Sequence, residues 1–315
     1  MEAIVDLDSM RVLLRKDGRH WTLHPRFLGE INGVTRYFSR FTDESTHLAG
    51  WTFALNAGWP AAKDKLVFKR GTMALGLRVP EFSRDSGARL ENVVVKRAVG
   101  SFGEHVHGPF RSSTERPLRT SEGEYYERFI EGRHLKVWYW GEQLITLERD
   151  QAPTAVGDGA STVRALIHEY IRGQRRMTPE KTQRILERCE TVLRYDGASL
   201  DDVLAPGQRQ RIEFRYGTEV MKDSDRQRVD PRADGDPQWD PLREAGPRLL
   251  QLVPPPLREH QMFAVDAIQD AEGEIWLLEM NSHPTVHPLV YDPMIRSLTA
   301  SAPAMPAPEA SGYIA

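Results

Sequence analysis

The sequence predicts an α+β fold, with antiparallel hairpins and helices in separate stretches. Three observations carry that prediction. Residues 261–284 read as a hairpin, because two apolar, strand-like runs flank Asp270-Ala271-Glu272-Gly273, a loop of turn formers. Residues 133–140 and 143–148 read as a second hairpin across Gly141-Glu142. Between the two lie helical patterns: one is capped by Ser161 or Thr162 and runs to about residue 171, the other covers 178–193 with Pro179 in its first turn.

The remaining elements follow in chain order. Residues 1–60 are β-rich, and a hairpin over 10–24 turns at Asp17-Gly18. A helix is expected over 61–76 with Gly76 as its stop, then an extended stretch over 77–82 in which Pro80 marks an edge or loop. Asn92 to Val95 is a short apolar strand ending at Lys96, and the loop after it holds Gly100 and Gly103. A strand over 125–130 leads into the second hairpin. Residues 201–204 read as a short helical piece, 210–216 as a strand, and 217–246 as a long irregular loop. The Ala/Pro-rich tail from about residue 300 is expected to be disordered.

Composition excludes several classes. Among 315 residues, 42 basic side chains nearly balance 45 acidic ones, so bulk charge points to no nucleic-acid partner. No apolar run approaches the ~20 residues that span a bilayer, and the first ten residues lack a signal-peptide pattern. The single cysteine, Cys189, falls in a helical pattern and cannot form an internal disulfide, which fits a cytoplasmic location.

The closing hairpin carries the chemistry. With a four-residue turn, Asp266 lies opposite Leu277 and shares a face with Glu279 and Asn281. Phe263, Val265, Trp276, Leu278 and Met280 then form the core face. Two neighbouring carboxylates repel, and burying them is costly. A divalent cation removes both problems, and Mg²⁺ prefers oxygen ligands while keeping positions open for phosphate. An amphipathic hairpin with solvated acids fits the same spacing. The strand, Lys96 and glycine loop likewise fit either close backbone approach to phosphate or a plain surface turn. They lack the Gly-Lys-Ser/Thr of a P-loop. His105 and His107 have no Cys or acid partners at zinc-ligand spacing.

Taken together and in order, residues 61–296 resemble an ATP-grasp ligase, nearest to the cyanophycin-synthetase and glutathione-synthetase-like subgroup. The resemblance rests on Asp64-Lys65 followed by LGLRVPEF, on VVVKRAVGSFGEHV, on ERFIEGRHLKV, on AVGDGASTVRALI, and on Asp266, Glu279 and Asn281 as a D…E.N set. It implies an ATP-grasp fold of two α+β subdomains clamping ATP, with a small β-rich region over 1–60 before them. Residues 61–130 would be the first subdomain, with lid and glycine-rich loop. Residues 131–299 would be the metal and phosphate platform, and 300–315 the tail.

By the same resemblance, Lys69 and Lys96 would contact the nucleotide, and Gly100, Ser101, Phe102 and Gly103 would cover its phosphates. Glu127, Arg128, Phe129 and Ile130 would form the hinge that reads adenine. His134 stands where the family usually has an acid for the ribose hydroxyls, which puts nucleotide preference in question. Lys136 and Arg149 would face the phosphates, and Arg215 the tetrahedral oxyanion. Asp266, Glu279 and Asn281 would hold one or two Mg²⁺ ions, for which Mn²⁺ can substitute.

The implied reaction is amide formation through an acyl phosphate, between an amino-acid or peptide carboxylate and an amine. Expected partners are therefore small-molecule or peptide substrates, with no nucleic acid and no membrane. The short amino-terminal region suggests that a second subunit, as in a homodimer, completes the substrate cleft. The alternative is a phosphotransferase with a hydroxyl acceptor, for which Arg111, Arg116, Arg119 and Arg133 would supply a basic pocket.

Overall fold

The computed structural model describes residues 1–31, 34–53, 58–100, 105–172, 177–215, 220, 226–258 and 260–300. Contacts divide the chain into two compact units, Met1–Leu55 with Thr285–Ala315, and Asn56–Pro284. No helix among the described residues is long and apolar enough to cross a membrane.

The first unit holds β1 (Glu2–Val5), β2 (Val12–Lys16), β3 (Arg19–Ile31), β4 (Val34–Phe38) and β5 (Ser45–Thr52). They pair antiparallel in the order β1-β2-β3-β4, with β5 also on β3. The expected hairpin turns at Asp17 and Gly18, with φ of 50° and 75°, the left-handed pair that a tight turn between twisted strands needs.

In the second unit the single helix expected over 61–76 is two, α1 (Pro60–Lys63) and α2 (Lys65–Ala74). Asp64 breaks them apart. Its backbone bridges to Val99, and its carboxylate accepts from the amides of Leu66 (2.7 Å) and Val67 (3.2 Å), capping α2. Of the extended stretch, only β6 (Phe82–Ser83) pairs. It joins β7 (Glu91–Arg97), β8 (Val106–Ser112) and β9 (Glu124–Arg128) in a four-stranded sheet of order β6-β9-β7-β8.

The second hairpin is β10 (Arg133–Trp140) and β11 (Gln143–Asp150). After β12 (Thr154–Val156) come α3 (Val163–Ile171), capped by Thr162, and α4 (Pro179–Asp196), capped by Thr178. Residues 201–204 are not helical, since Val203 forms a bridge with Thr162. Only β13 (Arg209–Arg211) pairs in the stretch read as a strand over 210–216.

The expected irregular loop over 217–246 is regular from residue 226 on: β14 (Arg226–Val229), α5 (Pro231–Asp234), a 3-10 turn at Pro237–Trp239 and α6 (Asp240–Leu250). Pro231, Pro237 and Pro241 sit in the first turns of these helices, where a missing N–H costs nothing. Then follow α7 (Pro255–Arg258), β15 (Met262–Gln269) and β16 (Ile275–Asn281), while α8 (Tyr291–Ala300) belongs to the first unit.

Strands β14-β11-β10-β15-β16 form a five-stranded sheet. One face packs Leu135, Val137, Leu147, Phe263 and Val265 against Phe68 of α2 and Leu242 and Leu249 of α6. Helices α3 and α4 have their own core around Ile167, Cys189 and Leu193.

The register of the closing hairpin differs from expectation. Ala267, not Asp266, pairs with Leu277, and a bulge then brings Asp266 opposite Glu279. The extra residue, Leu278, shifts the alternation. Leu277 therefore joins the core, and Trp276, expected there, shares Asp266's face. The acids stay together because they lie beyond the bulge.

Candidate nucleotide and metal site

Register fixes which side chains share a face of the large sheet, since directly opposed residues do. Lys136 pairs with Glu148 and with Asp266, and Asp266 with Glu279, making one transverse row. The neighbouring row holds His134, Asp150 and Ile268. At about 3.4 Å rise per residue the rows stand roughly 7 Å apart.

The first row is a tight ionic cluster. The two Asp266 oxygens lie 2.9 and 3.0 Å from Lys136 Nζ, and Asn281 Nδ2 donates to Oδ2 at 2.8 Å. Glu279 Oε2 lies 3.0 Å from Lys65 Nζ, which also donates to the Gly100 carbonyl at 2.7 Å. Asp266, Glu279 and Asn281 thus converge as the sequence suggested.

Among the described residues no three His, Cys, Asp or Glu side chains gather as a metal cluster. The set here is two carboxylates and an amide, which suits a hard cation such as Mg²⁺. Each carboxylate already holds an ammonium group in a cation's place. Asp266, Glu279 and Asn281 would hold the ion once Asn281 presents its oxygen in place of its NH₂.

The small sheet contributes a second cluster. Glu127 lies between two lysines, with Oε2 2.7 Å from Lys69 Nζ and Oε1 2.6 Å from Lys96 Nζ, and Tyr125 OH donates to it at 3.2 Å. Burial alone would raise the Glu127 carboxyl, but the two lysines outweigh it and hold it at about 2. Lys69 is fully buried, and burial lowers its pKa against the opposing pull of Glu127. Lys96 keeps its side chain 13% exposed and is the cation able to turn outward.

Beside the second row lies a small cleft. Phe129, Ile130, Phe214 and Ile268 give it apolar walls, and His134 and Asp150 line it. Gly132 makes the approach of hinge and floor possible, because a Cβ there would stand 2.2 Å from the Gln269 carbonyl. Burial, with Lys136 close by, pushes the His134 imidazole down to about 3, so it is neutral at physiological pH. Burial raises Asp150 to about 6, with Arg226 opposing.

Other expected residues fall elsewhere. Arg149 alternates onto the opposite face from Lys136; its guanidinium bonds Gln227 (2.6 and 3.2 Å) and lies over Trp239. Arg215 is buried with its donors committed, to Glu213 at 2.6 Å and to the Val106 and Gly108 carbonyls at 2.9 and 3.2 Å. It ties the 212–215 segment to β8 rather than facing a free oxyanion position. Glu127 is the last inward-facing side chain of β9, while the Arg128 amide is anchored on the Glu81 carbonyl at 2.8 Å. Gly100 is placed by Lys65, but Ser101, Phe102 and Gly103 lie outside the described residues, as do the tail beyond 300 and residues 221–225.

Arg111, Arg116 and Arg119 are engaged. Arg116 is bidentate on Glu124 (2.8 and 3.0 Å), Arg119 pairs with Glu122, and Arg111 lies over Tyr195. Two residues the sequence reading passed over belong to the site. Lys65 directly follows the helix-breaking Asp64, a signal available in the sequence. Arg226, 3.3 Å from Glu148 and 3.4 Å from Asp150, was hidden in a charged stretch read as loop.

Solved structures of ATP-grasp ligases are among those to which the chain is similar. Among solved structures the chain is similar to a bifunctional glutathione synthetase from Pasteurella multocida, at 12% identity and TM-score 0.41, covering 95% of this chain and 41% of that one. It is also similar to a D-alanine–D-alanine ligase from Bacillus anthracis (11%, TM-score 0.38, 76% and 68% covered). A third likeness is to N5-carboxyaminoimidazole ribonucleotide synthetase from Thermotoga maritima (13%, TM-score 0.32, 70% and 42% covered). The chain thus spans less than half the length of the first and third of these proteins. No family profile and no curated relative matches the sequence. At these distances the likenesses carry no information on substrate or reaction.

Proposed function

We propose that residues 56–284 form an ATP-dependent carboxylate–amine ligase. The observation that carries this reading is the single sheet face on which Lys136, Asp266, Glu279 and Asn281 converge, one row from an apolar-walled cleft. Lys65, Lys69, Lys96 and Lys136 with Arg226 stand among the carboxylates of Glu127, Glu148, Asp150, Asp266 and Glu279, so ammonium groups are at hand for a polyphosphate once a metal cation takes over the acids.

In the proposed reaction a substrate carboxylate oxygen attacks the γ-phosphorus, and the bond to the ADP oxygen breaks. An amine nitrogen then attacks the acyl carbon, and phosphate leaves with the electrons of its C–O bond. The amine's proton passes to the departing phosphate or to water. No side chain serves as nucleophile, so positioning and charge stabilisation do the work. Lys136 stands beside the carboxylate row, where it can steady the transferred group. Lys96 turns from Glu127 to phosphate, while Lys69 keeps Glu127 neutralised. A bound Mg²⁺ would neutralise phosphate charge.

We take the acid to be an amino acid or peptide, the location to be cytoplasmic, and a homodimer to be the working assembly. The alternative is a phosphotransferase with a hydroxyl acceptor; of the arginines that would supply its basic pocket, Arg111 and Arg116 are engaged, while Arg119 makes only a surface pair and Arg133 is exposed. The test is a screen of paired amino acids and dipeptides for phosphate release from Mg-ATP, with mass spectrometry of the product. ADP formation that needs only an alcohol, with a phosphoester as product, would overturn the ligase reading.

A further inference from the structure

One residue of the small sheet holds a backbone shape for which a regular strand has no use. Asn92, in β7, has a φ of 51°. Asparagine tolerates this left-handed region better than most side chains do, yet still at a cost. Such conformations persist where the surroundings hold them, and they gather at functional sites. The same stretch carries a register shift against β8, between Val93 and Val95.

What holds Asn92 is also what it holds. Its carbonyl accepts from the Phe129 amide at 2.6 Å, one position beyond the last pair of β7 and β9, Val93 with Arg128. Its side-chain Oδ1 accepts from the Tyr195 hydroxyl, in α4, at 3.0 Å. Phe129 and Tyr195 in turn meet edge to face, with ring centres 5.5 Å apart at 85°. Phe214 stands edge-on to Phe129 at 5.1 Å. The Arg211 guanidinium lies over both Phe129 and Tyr195, at 5.5 and 6.0 Å from the ring centres. Phe129, Phe214 and Arg211 line the cleft, so Asn92 fixes both the backbone of that wall and a ring that supports it. A gap of about half an ångström already forfeits a good part of a dispersion contact, so the placement of the wall sets its grip on a flat ring.

We infer that Asn92 is a positioning residue for the aromatic wall of the cleft. Its left-handed backbone places the Phe129 amide, its amide oxygen places Tyr195, and the two together set how tightly a nucleotide base is held. This rests on the nucleotide-binding reading above and deepens it. Asn92 acts through Phe129 and Tyr195 rather than on the ligand.

The test compares two ligands on the full chain, each with Mg²⁺: a non-hydrolysable ATP analogue, and tripolyphosphate, which has no base. Titration calorimetry gives both affinities. The wild type should favour the analogue. Asn92→Ala should cut that preference roughly tenfold, with tripolyphosphate affinity held within about twofold. Tyr195→Phe, which removes only the hydroxyl, should cut it roughly threefold or more. Asn92→Asp keeps an acceptor oxygen and tolerates the same φ, so it should keep the preference. A merely structural role would weaken both ligands alike. The inference is overturned by a wild type that binds both ligands equally, or by a preference that survives either Asn92→Ala or Tyr195→Phe. Equal losses for the two ligands, or an Asp variant as damaged as the Ala one, overturn it too. If Asn92→Ala does not fold, Tyr195→Phe decides. Failure of the wild type to bind the ATP analogue at all would instead overturn the proposed function itself.

Discussion

Glu127→Gln tests the buried lysine pair. In the native protein this carboxyl is fully buried between Lys69 and Lys96 and is held at about 2, against an ordinary 4.5. That difference is worth on the order of 3 kcal/mol of stability at neutral pH, within the range for breaking one side of a buried ion pair. The glutamine would leave Lys69 buried without a counter-charge, and its already lowered pKa lets it shed the proton and limit the loss. A carboxyl whose folded-state pKa lies below its unfolded value stabilises the fold above that unfolded value, and the contribution fades as pH falls toward the folded one. The gap between wild type and variant should therefore be full at pH 7 and shrink to on the order of 1 kcal/mol by pH 3. Urea unfolding across this pH range measures it, with hydrogen exchange at the β9 amides reporting the local site. Equal midpoints at pH 7, or a gap that stays constant on acidification, would refute the reasoning.

Three further outcomes are expected. Lys136→Met should lower ADP-forming turnover by two or more orders of magnitude, whereas Arg149→Ala, on the other face, should change it no more than about twofold; similar losses in both would contradict the facing read from the register. Lys65→Met should strengthen Mn²⁺ binding to the nucleotide-free protein several-fold, because an ammonium 3.0 Å from Glu279 competes with the cation; titration calorimetry with Mn²⁺ alone decides, and an unchanged affinity would count against Glu279 as a ligand. Burial pushes the Cys189 thiol up to about 12, so an aromatic disulfide reagent should leave native protein unmodified while taking up one equivalent in urea.

Local signals in the sequence carried much of this fold. The hairpins at Asp17-Gly18 and around Gly141, the cap at Thr162 and the proline that opens α4 depend on residues that act over two or three positions. Convergence of Asp266, Glu279 and Asn281 was legible because a strand's period of two needs only one hairpin. What failed needed information from distant chain. The bulge at Leu278 follows from packing Leu277 and Met280 into one core, and no turn signal announces it. The break at Asp64 depends on a bridge to Val99, in a different part of the sequence. The resemblance put Arg149 on the phosphate side, but its facing is set by the register that pairs it with Leu135 of the core face. The segment after Arg226 lost its signal because its apolar residues are sparse, although Trp239, Leu242 and Leu249 are all buried.

The chain leaves its first unit after β5 and comes back at Thr285, where the Val286 amide donates to the Ala49 carbonyl at 2.8 Å and Tyr291 OH accepts from the Trp51 amide at 2.9 Å. Gly50 leaves room for this return, since a Cβ there would stand 2.7 Å from Val286. On the ribosome, the amino-terminal strands therefore emerge first but must wait for some 230 intervening residues, Asn56 to Pro284, before their closing helix arrives. The middle of the polypeptide can mature while its beginning is still unfinished, so a synthesis stalled in β16 would leave the amino-terminal sheet without the segment that completes it.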